Sequence, residues 1–184
     1  MNPHTMPRNH TPLIAALLML TACQADPPPE PPLAGAAIGG DFTLTGEDSQ
    51  PVSWADFTGQ YRTLYFGYTF CPDVCPVDTQ RAMAGLKAFE KANPELGAKI
   101  QPLFISVDPE RDTPEVLAEF TDNFHPRLIG MTGTKEELDR ITSSFAATYS
   151  IGEKQDNGGY LVGHTNITYL FGPEGEPLAM LPTD

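Results

Sequence analysis

Apolar and polar positions change their period several times along this chain, and each change marks an element. DFTLTG (41–46) alternates apolar and polar side chains as a strand at a sheet edge does, whereas YRTLYFGYTF (61–70) is an aromatic and β-branched run suited to a more buried strand. VDTQRAMAGLKAFEKAN (77–93) shifts to helical spacing through Met83, Leu86 and Phe89 or Glu90, and Asn93-Pro94 stops it. IQPLFISV (100–107) reads as a second buried strand. DPERDTPEVLAEFTDNF (108–124) opens a helix with Asp112 or Thr113 as N-cap and Pro114 in the first turn, where a missing N–H costs nothing. LIGM (128–131) is a short strand. Thr134 and Glu137 then form a capping box ahead of a helix with Leu138, Ile141 and Phe145 on one face. NITYLF (166–171) and PLAML (177–181) flank the turn GPEG (172–175) as an antiparallel hairpin.

The predicted order is β, β, α, β, α, β, α and a closing β-hairpin. Alternating strands and helices imply right-handed parallel crossovers, and the hairpin adds antiparallel strands to the same sheet. The expectation is a single α/β domain of thioredoxin-like architecture over 38–184, a central mixed sheet flanked by helices. Two cysteines stand where the first buried strand hands over to a helix. No internal repeat is present.

The pattern before residue 38 is of another kind. LIAALLML (13–20) is apolar but too short to span a hydrocarbon core, which needs roughly 20 helical residues; it fits the apolar core of a secretory signal. Leu20-Thr21-Ala22-Cys23 resembles the lipobox of bacterial lipoproteins, which implies a signal peptide over 1–22 and lipidation of Cys23. QADPPPEPPLAGAA (24–37) has almost no bulky apolar side chain, and its prolines favour an extended spacer of roughly 40 Å. The expected placement is periplasmic, or otherwise on an extracytoplasmic face, with a lipid anchor as the membrane contact.

Charge removes other partners. With 24 acidic against 11 basic residues the formal net charge is −13, which repels phosphate backbones and excludes nucleic acid as a partner. Adsorption to anionic lipid through surface charge is disfavoured for the same reason.

The remaining chemistry lies in FCPDVCP (70–76). Export leaves thiols without the protection of cytosolic reductants, and with Cys23 assigned to lipid, Cys71 and Cys75 are a pair with no other partner. Their spacing puts both sulfurs on one side of a helical turn, where a helix N-terminus favours thiolate. A disulfide, a redox pair and a soft metal site are all chemically open, although dithiol oxidoreductases of this fold usually carry two intervening residues and this loop carries three. Two thiolates suit Cu(I) or zinc and leave room for another ligand. Past Cys23, only His125 and His164 offer an imidazole. His125, in NFHPRL, fits a histidine resting on the last carbonyls of a helix. His164 precedes a buried strand, where thioredoxin-like reductases place a proline facing their cysteines, so its imidazole is expected to face FCPDVCP.

FGYTFCPDVCP, LFISVDPERDTPE, MTGT and YLVGHTNITYLF, in this order, resemble the Sco/SenC family of copper chaperones from about Asp41 to the C-terminus. The resemblance implies copper, as Cu(I) or Cu(II), held by Cys71, Cys75 and His164, and an anchored domain on the outer face of a membrane. It implies as acceptor the copper-binding subunit of cytochrome c oxidase, with other copper chaperones or a thiol reductant as further partners. Family members usually continue into a further helix past the hairpin and are commonly held by a transmembrane helix, whereas this sequence ends at Asp184 and carries a lipobox pattern. An alternative use of the same pair is thiol-disulfide reduction, in which Cys71 and Cys75 keep the acceptor's cysteines reduced. A peroxidatic Cys71 resolved by Cys75 has no suitable polarising groups beside the motif. Asp73 between the cysteines, and Asp108 and Arg111 in DPERDT, are candidates for tuning the site or meeting a partner. Asp78 is expected to stabilise the first turn of its helix.

Overall fold

The computed structural model describes Met1 and residues 29–156 and 158–182. The body of the signal-peptide pattern, Cys23 and the start of the proline-rich segment lie outside the described residues. Among those described, no helix is long and apolar enough to cross a membrane.

Strand β3 (Tyr61–Gly67) is the axis of the domain. Its aromatic and β-branched run is buried from Leu64 to Gly67, and it pairs in parallel with β4 (Ile100–Ser106) on one side and antiparallel with β8 (Thr168–Phe171) on the other. β5 (Ile129–Thr132) continues the parallel set beside β4. β1 (Thr43–Gly46) runs antiparallel on β5, β2 (Pro51–Ser53) on β1, and β9 (Pro177–Leu181) on β8, giving one seven-stranded mixed sheet ordered β2-β1-β5-β4-β3-β8-β9.

Two right-handed crossovers, β3-α1-β4 and β4-α3-β5, step in the same direction and so place α1 (Val74–Ala92) and α3 (Pro114–Asp122) on one face. Tyr65, Phe104 and Phe120 fill that side. The opposite face is closed by α4 (Lys135–Ser144) and a 3-10 turn at Trp54–Phe57; there Phe145 meets Phe42, Trp54, Phe66 and Phe171 at centroid separations of 5.4–6.0 Å. The short helix α2 (Pro94–Gly97) follows the Asn93-Pro94 stop.

The anticipated α/β sandwich with a closing hairpin is the observed one, with four local corrections. β1 is not the edge strand: the three-residue β2, too short to show a period, lies outside it with Pro51 at its start, where a missing donor is harmless. α1 begins at Val74 instead of 77, inside the cysteine motif. Pro76 occupies the third helical position, where backbone N–H groups have no intrahelical acceptor to lose. α3 starts only at Pro114 because Thr113, not Asp112, is the cap and accepts the Val116 N–H. The described end of the proline-rich segment is not extended: it forms turns from Pro31 to Ala36, and Leu33 N–H donates to the Leu178 carbonyl of β9 at 3.0 Å.

One unit lies apart from the main sheet. β6 (Tyr149–Ile151) and β7 (Val162–His164) form their own two-stranded ribbon, pairing Tyr149 with His164. Neither strand is long enough to declare itself by periodicity.

Candidate metal centre

The two cysteines are placed by the exits of adjacent strands. After Gly67 the chain leaves β3 through Tyr68, Thr69 and Phe70, and Thr69 is fastened by both its N–H and its hydroxyl to the Asp112 carboxylate, at 2.9 and 2.7 Å. The same buried carboxylate takes the Ser106 hydroxyl at the end of β4, at 2.5 Å. Burial raises the pKa of Asp112, opposed by these three hydrogen bonds. The cysteine loop is therefore stitched to the strand beside it before α1 begins.

Because α1 starts at Val74, Cys71 lies outside the helix and Cys75 within its first turn. The Cys75 N–H, one of the orphan donors of a helix start, points at the Cys71 sulfur at 3.3 Å. Cys71 is 8% exposed and Cys75 is fully enclosed. Both are free thiols.

Their environments differ in sign. Burial opposes ionisation at Cys71, but hydrogen bonds from the Cys75 thiol, the N–H groups of Cys75 and Asp73 and the Tyr68 hydroxyl outweigh it and hold the Cys71 thiol below its ordinary range. At Cys75 burial dominates and the neighbouring Cys71 adds to it, so its thiol is pushed far up.

His164 ends β7 and brings Nε2 to 3.0 Å from the Cys75 sulfur. Its Nδ1 lies 3.2 Å from the Thr165 carbonyl, which can only accept; the proton therefore sits on Nδ1 and the Nε2 lone pair faces the sulfurs. The Sγ atoms of Cys71 and Cys75 and one ring nitrogen of His164 lie within 4.8 Å of one another, the only such group among the described residues. Donors about 2.0–2.3 Å from one soft ion stand roughly 4 Å apart, so the three converge as a thiolate-imidazole metal site requires.

Two tyrosines frame the imidazole. The rings of Tyr65 and Tyr68 stand edge-on to it, each with a centroid separation of 5.8 Å. The Tyr65 hydroxyl donates to Asp78 at 3.2 Å and also contacts Cys75, while the Tyr68 hydroxyl bonds Cys71 and accepts the backbone N–H of Val162. Burial raises both phenols, Tyr65 well above its ordinary range.

The remaining sequence candidates divide. Asp73 is exposed at the N-cap of α1, makes no side-chain cap and stays outside the donor group. Asp78 is buried beneath Tyr65 instead of lining an open helix turn. Asp108 is buried and pairs with Arg111 at 2.5 Å. His125 is far from being a ligand: its Nδ1 accepts the Arg127 N–H and its Nε2 faces Glu90. Sequence reasoning missed Tyr65, Tyr68 and Asp112 as site-building residues; the available signal was two phenols in a buried run, each needing a partner for its hydroxyl.

Comparison with known proteins points the same way. The SCO1/SenC family model matches residues 30–184. The chain is 42% identical over 139 residues to Protein SCO1 homolog, mitochondrial, of Mus musculus, covering 76% of this chain and 48% of that protein. It is 43% identical over 141 residues to Protein SenC of Rhodobacter capsulatus, covering 77% and 62%. It thus spans about half the length of the mouse protein. Among solved structures, Arabidopsis thaliana ScoI with copper bound superposes with a TM-score of 0.73 at 38% identity, covering 79% of this chain and 88% of that one. Bradyrhizobium japonicum ScoI with copper bound gives 0.73 at 32%, covering 80% and 91%.

Proposed function

This chain belongs to the SCO1/SenC family, and on that premise we propose that it is an extracytoplasmic copper chaperone. It binds one copper ion through Cys71, Cys75 and His164 and passes it to the copper-binding subunit of cytochrome c oxidase. Cys23, acylated after removal of 1–22, tethers it to the membrane through the proline-rich segment. The copper-bound relatives from Arabidopsis thaliana and Bradyrhizobium japonicum support the choice of metal. The observation that carries the reading is the convergence of two sulfurs and an Nε2 lone pair on one point.

The chemistry follows from the donor set. Two thiolates and one imidazole give a near-trigonal site for Cu(I), and an added oxygen ligand accommodates Cu(II). Uptake displaces the thiol protons: Cys71 yields its proton readily, whereas Cys75 holds its proton until the metal takes its place. Release proceeds by ligand exchange, with incoming thiolates of the acceptor replacing donors one at a time. Cys71, the more exposed sulfur, is the first within their reach. Anaerobic equilibrium dialysis of the reduced domain tests the site. Wild-type protein retains one copper, a Cys71→Ser, Cys75→Ser double variant retains none, and His164→Ala holds it more weakly; retention by His164→Ala equal to wild type removes the histidine from the site.

A second reading rests on the asymmetry of the thiols. A Cys71 with a lowered pKa and the less enclosed sulfur, beside a fully enclosed Cys75 with a raised pKa, are the arrangement of an attacking and a resolving thiol. Cys71 thiolate would attack a partner disulfide, forming a mixed disulfide and releasing one partner thiolate. Cys75 would then displace the second, leaving the partner doubly reduced and the Cys71–Cys75 pair oxidised, to be returned by an external thiol reductant. In this exchange the His164 Nε2 lone pair, 3.0 Å from the Cys75 sulfur, would take the Cys75 proton and pass it to the leaving partner thiolate; the exchange needs no third donor aimed at the point between both sulfurs, and that convergence makes metal transfer the primary assignment. Reduction of a disulfide-bonded acceptor fragment, followed by mass, separates the two roles.

A further inference from the structure

His164 stands on a ribbon of two three-residue strands outside the main sheet, and a lone two-stranded ribbon is marginal in water. The backbone pairing that places β3, β4 and β8 therefore does not place the imidazole relative to the sulfurs. Past Thr165 the chain is fixed again where β8 enters the sheet at Thr168. On the other side of His164, the approach through residues 158–161 needs a separate attachment.

That attachment is present. Arg111, in the loop after β4, lays its guanidinium over three rings: Tyr160 at 3.6 Å, Phe70 at 5.0 Å and Tyr68 at 5.7 Å from the ring centroids. Phe70 and Tyr68 belong to the segment that carries Cys71; Tyr160 lies four residues before His164. The Nη1 of Arg111 donates to the Tyr160 carbonyl at 3.0 Å, and its Nε pairs with Asp108 at 2.5 Å. The other oxygen of the Asp108 carboxylate accepts the Tyr160 hydroxyl at 2.6 Å. Asp108 and Tyr160 are buried, so these contacts are shielded from water and salt. Lys154 approaches the same ring at 5.5 Å while paired with Glu110, but both ends of that pair are exposed.

We propose that Arg111 is a positioning residue that clasps the His164 segment against the cysteine loop, with Asp108 and Tyr160 completing the clasp. Its role at the metal rests on the copper-site reading given above. A planar guanidinium suits this place and an ammonium does not, because one flat group must stack on rings while donating in two directions. A site whose ligand-bearing segments are held together meets the ion already assembled; without the clasp, apparent affinity falls by the fraction of molecules in which the imidazole has drifted away.

The test uses Arg111→Lys, which keeps the charge, and Tyr160→Phe, which removes only the hydroxyl bond to Asp108 and covers the case in which the first variant folds poorly. Hydrogen exchange on the metal-free protein reads the clasp directly: amides of residues 158–164 exchange about ten-fold faster in either variant, while those of β3 and β4 are unchanged. Anaerobic Cu(I) competition against a chromophoric chelator reads the consequence. Arg111→Lys weakens binding about 10–100-fold, the range for residues that orient metal ligands. In a His164→Ala background the same substitution changes affinity less than about two-fold, because the clasp acts through the imidazole. Unchanged exchange at 158–164 overturns the proposal, as does an equal loss of affinity in both backgrounds. Should wild-type protein bind no copper, the functional assignment falls, and the exchange measurement still decides whether Arg111 holds the segment.

Discussion

Tyr68→Phe deletes a single oxygen from the site and leaves the ring beside His164 in place. The lost hydroxyl is one of the donors that lower the Cys71 pKa, the others coming from Cys75 and Asp73. A hydrogen bond to a charged acceptor contributes about 1.5–3 kcal/mol; the remaining donors and the solvent at the open side of Cys71 reduce the loss to about 1 kcal/mol. That lowers the thiolate fraction about five-fold at any pH below the midpoint. A more basic thiolate is also a better nucleophile, with a Brønsted coefficient of about 0.4–0.5, which returns roughly two-fold. Alkylation of reduced, copper-free protein by iodoacetamide should therefore slow about 2–3-fold at pH below the Cys71 midpoint, with that midpoint shifted to higher pH and a plateau about two-fold higher. Mass spectrometry assigns the modified sulfur; Cys71 reacts first, since Cys75 is fully enclosed. A pH profile for Tyr68→Phe that superimposes on the wild type would falsify the assignment of the phenol as a donor to Cys71.

Other outcomes follow from the same contacts. Copper(I) affinity should climb with pH by about one decade for each thiol proton displaced: two decades per unit while both thiols are protonated, and one once pH passes the lowered Cys71 value, because the raised Cys75 thiol keeps its proton. Competition titrations at several pH values check this, and a flat profile argues against thiolate ligation. Asp112→Ala strands the Thr69 N–H and two hydroxyls and should cost about 2–4 kcal/mol in denaturant unfolding at neutral pH. Its sign with pH is fixed: a carboxyl whose folded pKa lies above its ordinary value of 3.8 binds its proton more tightly when folded, so it favours the fold most at low pH. The wild-type advantage over Asp112→Ala accordingly narrows as pH rises from 3.8 through the raised folded value; a gap that widens over that range contradicts the burial argument.

What could be read from the sequence was whatever carries a local rule, a periodic run or a capping or turn signature. The aromatic run of β3, the capping box of α4 and the turn of the closing hairpin each carry a local rule, and each element formed where that rule put it. The cysteine pair and His164 were legible as donors because few other residues could serve. The frame around them was not. β6 and β7 are three residues each, so the ribbon bearing His164 has no period to detect. Asp112 has the composition of a helix cap, and only the adjacency of the β3 and β4 exits turns it into the tie between Thr69 and Ser106. The start of α1 was obscured by Pro76, which reads as a breaker yet is harmless in a first turn.

The bond from Leu33 to Leu178 also sets the direction in which the domain is moored. Through β9 and β8, Leu178 lies level with the beginning of β3, near Arg62 and Thr63, whereas the cysteines follow the end of that strand. The chain from the N-terminus therefore joins the body at the pole opposite the sulfurs. With Cys23 as the proposed anchor, any pull from the bilayer acts on the hairpin side, and the donor atoms hang outward at the free end of the leash. On that proposed anchorage the molecule would be a lure with its hook away from the line, its donor atoms facing whatever stands furthest from the point of attachment.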